Sequence, residues 1–396
     1  MPIPTPFHPR TSQLCESHEW RDWAGYLAAA SYNPSHEHEY YAIRNAAALI
    51  DVSPLFKYEI SGPQAEELIN RIIPRNISKC SIGQVMFTPW CDDDGKVIDD
   101  GTVTKLGDDR FRITAAEPNL AWFQDCAIGF RVSISDRSED LAALSVQGPN
   151  SRRILKSIPG LEGLDTLGYY RWMQAAIDRI PITISRTGYT GDLGYELWIA
   201  PEHATRVWDI LMDAGYGFGL TPAGMVALDI ARIEAGLLLI QVDYISSRKA
   251  MIEAQKSTPY EIGLGWTVDL SKDSFIGKKA LEQRIADGVQ WKLIGLEVDW
   301  SSLEKEYGRV DLVPQVAGRA SRSAVPVYKW GRQVGHASSH TFSPILKRYI
   351  AIATLESETA KPGNELSIEI TVEYERRMAK ARVVRLPFFN PPRKKE

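Results

Sequence analysis

The run Arg186-Thr187-Gly188-Tyr189-Thr190-Gly191-Asp192-Leu193-Gly194-Tyr195-Glu196 constrains this chain more than any other segment. Just before it, Ile180, Ile182 and Ile184 recur at every second position, as on one face of a half-buried strand. Tyr195–Ile199 then reads as a second strand. The three glycines between them permit backbone shapes that other residues resist, so the chain is expected to turn back on itself here. Glu196 is flanked by Tyr195 and Leu197, with Trp198 two positions on along its own face. A carboxylate buried there without a partner is costly. A ligand with adjacent N–H donors, such as the amino-pyrimidinone edge of a pterin, would satisfy it. An exposed glutamate on a well-made hairpin is the alternative.

Strands and helices alternate through most of the chain. Gly62-Pro63 introduces a helix over Gln64–Ile73. The acidic turn Asp92-Asp93-Asp94-Gly95 separates the strand-like runs Val85–Trp90 and Lys96–Lys105, which predicts a hairpin. Further strands are expected at Arg110–Thr114 and Leu141–Val146. Thr221-Pro222 is read as opening a helix to about Leu238, with Val226, Ile230, Ile233 and Leu237 on one face and an Asp229–Arg232 pair on the other. Beyond about residue 284 the pattern is strand-rich: Trp291–Val298, Val325–Trp330, Tyr349–Thr354, Glu365–Val372 and Ala381–Arg385. A small all-β domain is expected there.

At 396 residues the chain is too long for one core. A net charge of −4 gives no general attraction to nucleic acid, and Arg393-Lys394-Lys395 is too short a basic tail to supply one. No apolar run approaches the ~18 residues needed to span a bilayer. The proline-rich start, Met1–Arg10, has no apolar signal core, so a cytoplasmic location is expected, with no membrane partner. The four cysteines and seven histidines form no metal-binding spacing, so no metal site is expected.

Two other segments carry chemistry. In Val97-Ile98-Asp99-Asp100-Gly101-Thr102, adjacent acids on a strand point to opposite faces. One can face the interior of a pocket, binding an N–H donor or accepting a proton; a solvated strand end is the alternative. Ala227-Leu228-Asp229-Ile230-Ala231-Arg232-Ile233-Glu234-Ala235-Gly236 reads mainly as a packed amphipathic helix.

In this order and spacing these segments resemble the glycine-cleavage T-protein (aminomethyltransferase) family, from about residue 20 to 390. Further landmarks are Ile50-Asp51-Val52-Ser53, Gly95 to Asp100, Gln147-Gly148-Pro149, Gly263 to Val268, Phe275 to Leu281, Phe342-Ser343-Pro344 and Pro387-Phe388-Phe389. The resemblance implies an α+β fold: a three-domain cloverleaf around a folate-binding centre, closed by a small C-terminal β-barrel. Its divisions would be 1–53 with 142–243, 54–141 with 244–283, and 284–396. It implies tetrahydrofolate as cofactor. Asp100 matches the acid beside the reactive end of the pterin, and Glu196 the pterin-binding carboxylate. Tyr169 and Tyr189 match aromatic residues lining the folate. Arg393 is placed to meet the folate tail or close the site.

The chain also departs from the family pattern. Pro54-Leu55-Phe56-Lys57 stands where His-Met-Gly-Glu is usual, Leu228 where an arginine helps hold folate or substrate, and Tyr244 where a methionine follows the aspartate. About ten extra residues occur near Ser302–Gly318, and Trp20 and Trp23 are additional. These changes fall where a donor would approach. The expected activity is therefore a tetrahydrofolate-dependent methyl or aminomethyl transfer from a small-molecule donor, of demethylase type. In it Asp100 would keep the accepting nitrogen's lone pair available, and Tyr244 would protonate or orient the leaving group, or simply pack. Aminomethyl transfer from a lipoyl carrier protein is the first alternative. A non-catalytic folate-binding assembly factor is the second, and its Lys-Gly-Cys-Tyr-type motif is missing.

Overall fold

The computed structural model describes residues 1–316 and 318–396; Ala317, in the predicted insertion, lies outside the described residues. The chain divides into two compact units. One comprises Met1–Thr88, Asp99–Ala231 and Asn390–Glu396, and the other Pro89–Ile98 and Arg232–Phe389.

Two sheets organise the first unit. The first has six strands, in the order Trp172–Ile177, Ile180–Ser185, Gly194–Ile199, Ala142–Gln147, Ala47–Asp51 and Leu220–Pro222. Its strands alternate as a one-side-buried sheet should. Leu49, Leu144, Val146, Ile182, Ile184, Leu197 and Ile199 form one face and bury against Phe7, Val207, Trp208 and Leu211. Ser145, Ser185 and Glu196 sit side by side on the opposite face, paired in register across three strands.

The second sheet runs Val85–Cys91, Val97–Lys105, Arg110–Ala115, Phe56–Ser61, Ser133–Asp136. Tyr58, Ile60, Val103, Phe111 and Ile113 are fully buried on one face. The helices Ala65–Ile72 and Leu120–Cys126 cover that side, where Phe123 meets Tyr58 edge-on at 5.3 Å and Lys105 reaches Glu66 at 2.7 Å. The other face is polar. Thr104 and Glu59 flank Arg112, while Thr102 and Lys57 flank Thr114. Asp100 lies two residues before Thr102 on that same face. Trp20 and Trp23 belong to a three-stranded N-terminal sheet of Ile3–Pro4, Tyr26–Ala29 and Trp20–Trp23.

The helix predicted from Thr221 begins later, at Met225, and ends at Glu234. Leu220–Pro222 is instead a strand pairing in parallel with Ala47–Leu49. Gly236 at φ +63° closes the helix: its N–H bonds to Ile233 O, and that of Leu237 to Arg232 O. Glycine is the residue that adopts this left-handed stop without strain.

The second unit carries a closed six-stranded barrel, in the order Trp291–Val298, Arg348–Glu356, Arg332–Ser343, Val325–Lys329, Glu365–Val372, Glu375–Val384. Leu296, Val327, Ala337, Ala353, Leu355, Leu366, Ile368 and Val383 fill it. The strand Arg332–Ser343 escapes the sequence pattern because it is rich in serine and histidine. Its hydroxyls are buried in a network instead: Ser338 and Ser339 donate to Asp243 at 2.6 Å each. Arg232 donates to Asp243 at 2.5 Å and to Ser339 at 2.7 Å. The Arg232 guanidinium, read from the sequence as one half of a helical pair with Asp229, thus also reaches the barrel strand. The insertion near 302 contains a helix, Trp300–Gly308, capped by Asp299, which accepts from Ser302 N at 2.6 Å.

Candidate functional site

The candidate site lies within the first unit, where the polar face of one sheet meets that of the other. From the first sheet comes Glu196. It keeps part of its surface open, accepts a short hydrogen bond from Thr187, and sits between Ser145 and Ser185. From the second sheet comes Arg112, only 5 % exposed, with its guanidinium carbon 4.2 Å from the centre of the Trp198 ring. The cation–π contact joins the two sheets.

The electrostatics follow from burial. Desolvation raises the Glu196 carboxyl above its ordinary range, opposed by the Thr187 hydrogen bond and by the charge of Arg112. Burial lowers Arg112 to about 10, with Glu196 and Glu59 pulling it back; it stays a cation at neutral pH. Among the described residues, Arg112 makes no hydrogen bond and no ion pair, and its buried Nε–H has no acceptor. The buried Oγ1 of Thr114, two residues along the same face, also has no partner. Lys57 on that face is served by the carbonyls of Ser53 and Ser138, at 2.5 and 3.2 Å.

Asp99 and Asp100 divide as alternation predicts. Asp99 is fully buried on the helix side. It accepts from Asp100 N at 2.8 Å, Glu117 N at 3.1 Å and Asn119 Nδ2 at 2.8 Å. Burial, and then the charge of Asp100, hold its carboxyl well above the usual range. Asp100 is half-buried on the polar face.

Tyr170 ties these groups together. Burial raises its hydroxyl pKa, and the neighbouring Tyr169, Glu196 and Asp100 raise it further. Its ring stands edge-on to Tyr169 at 4.7 Å, and Tyr169 itself is pushed up to about 12 by burial. Tyr170 adopts φ +58°, the left-handed region that tyrosine rarely occupies. Tyr189 is half-buried in the turn before Glu196. Glu196, Asp100, Tyr169 and Tyr170 therefore form one neighbourhood.

Two further candidates, Arg393 and Tyr244, have surroundings of their own. Arg393 makes a two-pronged pair with the buried Asp192, at 2.7 and 2.8 Å, and donates to Arg44 O at 3.3 Å. That guanidinium is committed to pinning residues 390–396. Lys394 is the member of this segment that reaches Tyr169, with its Nζ 5.8 Å from the ring centre. Tyr244 is buried in the second unit.

Sequence reading missed Arg112, Tyr170 and Thr187. A signal for Arg112 was present: Arg110, Arg112 and Thr114 alternate with Phe111 and Ile113, so all three polar side chains share a face.

This neighbourhood suits a flat heterocycle bearing adjacent N–H donors. Glu196 offers the acceptor, Tyr169 and Tyr170 an aromatic border, and Arg112 and Thr114 unmet polar atoms. A reduced pterin fits such a set.

Known proteins point the same way. The model of the GCVT N-terminal domain matches residues 10–272, and that of the glycine cleavage T-protein C-terminal barrel domain matches 309–390. The aminomethyltransferase of Halothermothrix orenii is 33% identical over 382 residues, 96% of each chain. The trimethylamine-oxide aldolase of Ruegeria pomeroyi is 33% identical over 400 residues, covering 98% of this chain and 47% of that protein. The crystal structure of the glycine cleavage system aminomethyltransferase T from Bartonella henselae superposes with a TM-score of 0.82 at 22% identity, covering 98% of this chain and 99% of that one. The chain belongs to the glycine-cleavage T-protein family, which uses tetrahydrofolate and includes aminomethyltransferases.

Proposed function

We propose that this protein holds tetrahydrofolate between the two polar faces and receives onto it a one-carbon unit from a small-molecule methyl or aminomethyl donor. The observation that carries the reading is Glu196: a largely desolvated carboxylate, with Thr187 and Arg112 favouring its charged form and Tyr170 within reach of its charge. Tetrahydrofolate supplies the nucleophilic nitrogen that takes up the carbon. Glu196 would bind the pterin N–H groups and fix the ring's orientation. Asp100, on the same side, would accept a hydrogen bond near the reacting nitrogen and stabilise positive charge developing there. The catalytic contribution is placement in a partly dry site rather than covalent chemistry by a side chain. We assign the role of orienting a leaving group to Tyr244. The three-part division at 53/54, 141/142, 243/244 and 283/284 and a cytoplasmic place of action complete the proposal.

The donor assignment rests on the departures from the family pattern and on a relative. Leu228 is buried where the resemblance puts a guanidinium, so a charge-assisted contact to a donor or folate carboxylate is not available from that position. The Ruegeria pomeroyi protein, similar over nearly this whole chain, is named for a small methylated amine oxide. The names of the other relatives favour a second reading, aminomethyl transfer within glycine cleavage. One experiment separates them. The protein is incubated with tetrahydrofolate and either methylated small molecules or an aminomethylated lipoyl carrier protein, and the folate product is identified by mass. Product from the carrier alone overturns the small-donor reading.

A further inference from the structure

We propose that Arg112 is a specificity-determining residue that reads the C4 oxygen of the pterin, beside the N–H groups taken by Glu196. The inference rests on the folate reading above and concerns the same site.

Arg112 is a guanidinium in a position where a cation should have acceptors. Burying such a charge is expensive unless hydrogen bonds compensate, and a guanidinium carries five N–H donors. Yet among the described residues its side chain makes no hydrogen bond and no ion pair; it meets the Trp198 face and the longer-range charges of Glu196, Glu59 and Arg110. Its neighbours are satisfied: Lys57 has two carbonyls, and Glu59 has Arg110 at 4.0 Å. Arg112 and Glu196 do not close on each other within 4.0 Å, the limit for an ion pair. An Arg–Glu pair left apart across a cation–π contact, with an unpaired Nε–H on one side and a carboxylate on the other, presents donors beside acceptors.

The pyrimidinone edge of a pterin presents the complement. Its 2-amino and N3–H groups donate, and the C4 oxygen next to N3 accepts. With the two donors on Glu196, the accepting oxygen falls beside the carboxylate, where Arg112 stands. Thr114, whose Oγ1 also lacks a partner, extends the polar strip on the same face. Replacing the oxygen by an amino group sets donor against donor at Arg112 and also removes the N3–H that Glu196 accepts, so the mismatch has two parts and only the first depends on Arg112.

The test compares binding of tetrahydrofolate and its 4-amino analogue by calorimetric titration, for the parent, Arg112→Met and Arg112→Lys. The parent is expected to prefer the 4-oxo compound by about ten- to a hundredfold, the range for a hydrogen bond to a charged group. Arg112→Met should weaken tetrahydrofolate binding and reduce the preference by about three- to tenfold, the remainder coming from the N3–H that Glu196 loses in the 4-amino compound. Methionine keeps an unbranched side chain against the Trp198 ring. Arg112→Lys should retain part of the preference, because one cationic donor remains, and it reports on the proposal if the methionine variant does not fold. A parent that binds neither compound overturns the folate reading itself. A parent that binds tetrahydrofolate, with both variants keeping the parental ratio, overturns the role of Arg112 alone.

Discussion

Exchanging the two neighbouring aspartates one at a time should separate stability from catalysis across a single strand. Asp99 is fully buried and accepts three hydrogen bonds, one on Oδ1 and two on Oδ2. In Asp99→Asn, the amide oxygen can keep the two bonds to Glu117 N and Asn119 Nδ2. Its NH2 group then faces the Asp100 N–H, donor against donor. One buried bond is lost and one N–H is orphaned, at about 1–3 kcal/mol. For a unit of this size that is roughly 4–8 °C in melting temperature at 2 kcal/mol. Asp100→Asn removes a charge from the polar face and should leave stability within about 0.5 kcal/mol. It should also slow turnover by at least about a hundredfold, the size of a general-base or electrostatic contribution. Scanning calorimetry and steady-state rates with tetrahydrofolate present measure both. If Asp99→Asn melts with the parent, or if the two variants turn over at equal rates, the division of labour between the faces is wrong.

Three further outcomes are expected. Glu196 offers both oxygens to N–H donors only when ionised, and burial raises its pKa, so folate affinity should decline on acidification at higher pH than for an ordinary glutamate; Glu196→Gln should bind about ten- to a hundredfold more weakly and show a flatter pH profile in calorimetric titrations. Burial lowers Lys57 to about 8, so its folded state gives up its proton before the unfolded chain does. Stability from this group is full above the unfolded value of about 10.4 and is lost as pH falls through about 8; urea denaturation of the parent relative to Lys57→Met should show that slope. Arg393→Ala should free residues 390–396, read as faster amide exchange at Lys394–Glu396, while folate affinity changes less than about threefold; a large affinity loss with the segment still protected would return Arg393 to the folate tail.

The hairpin around Glu196 shows how far the sequence could be read. Its strands, its turn and the shared face of Glu196 and Trp198 follow from alternation. The three glycines were understood only in part. Gly191 does adopt a left-handed φ of +72°. Gly188 and Gly194 are there for another reason: a Cβ on either would stand 2.2 Å from the side chain of Gln147. That side chain donates to Ser145 Oγ and Thr187 O and accepts from Thr190. A contact between residues 40 or more apart in sequence leaves no periodic trace, so the strand reading stops at Val146, one residue short of Gln147, and resumes at Tyr195, one residue past Gly194. The barrel strand Arg332–Ser343 was invisible for a related cause, since its inward polar groups are paid for by Asp243 and Arg232 far away in sequence. Arg112 was legible by alternation, but its missing acceptors could be found only in three dimensions.

The pinning of residues 390–396 to the first unit has a consequence for synthesis. The Arg393 side chain reaches Asp192 and Arg44, yet 158 residues of the second unit, 232–389, are translated between the body of the first unit and this segment. The first unit therefore leaves the ribosome with Asp192 held by Arg44 and the Leu193 N–H but without Arg393, and its final closure waits for the whole barrel to emerge. A ribosome stalled anywhere within 232–389 should hold a nascent first unit that is compact but more open to proteolysis near Asp192 than in the finished chain.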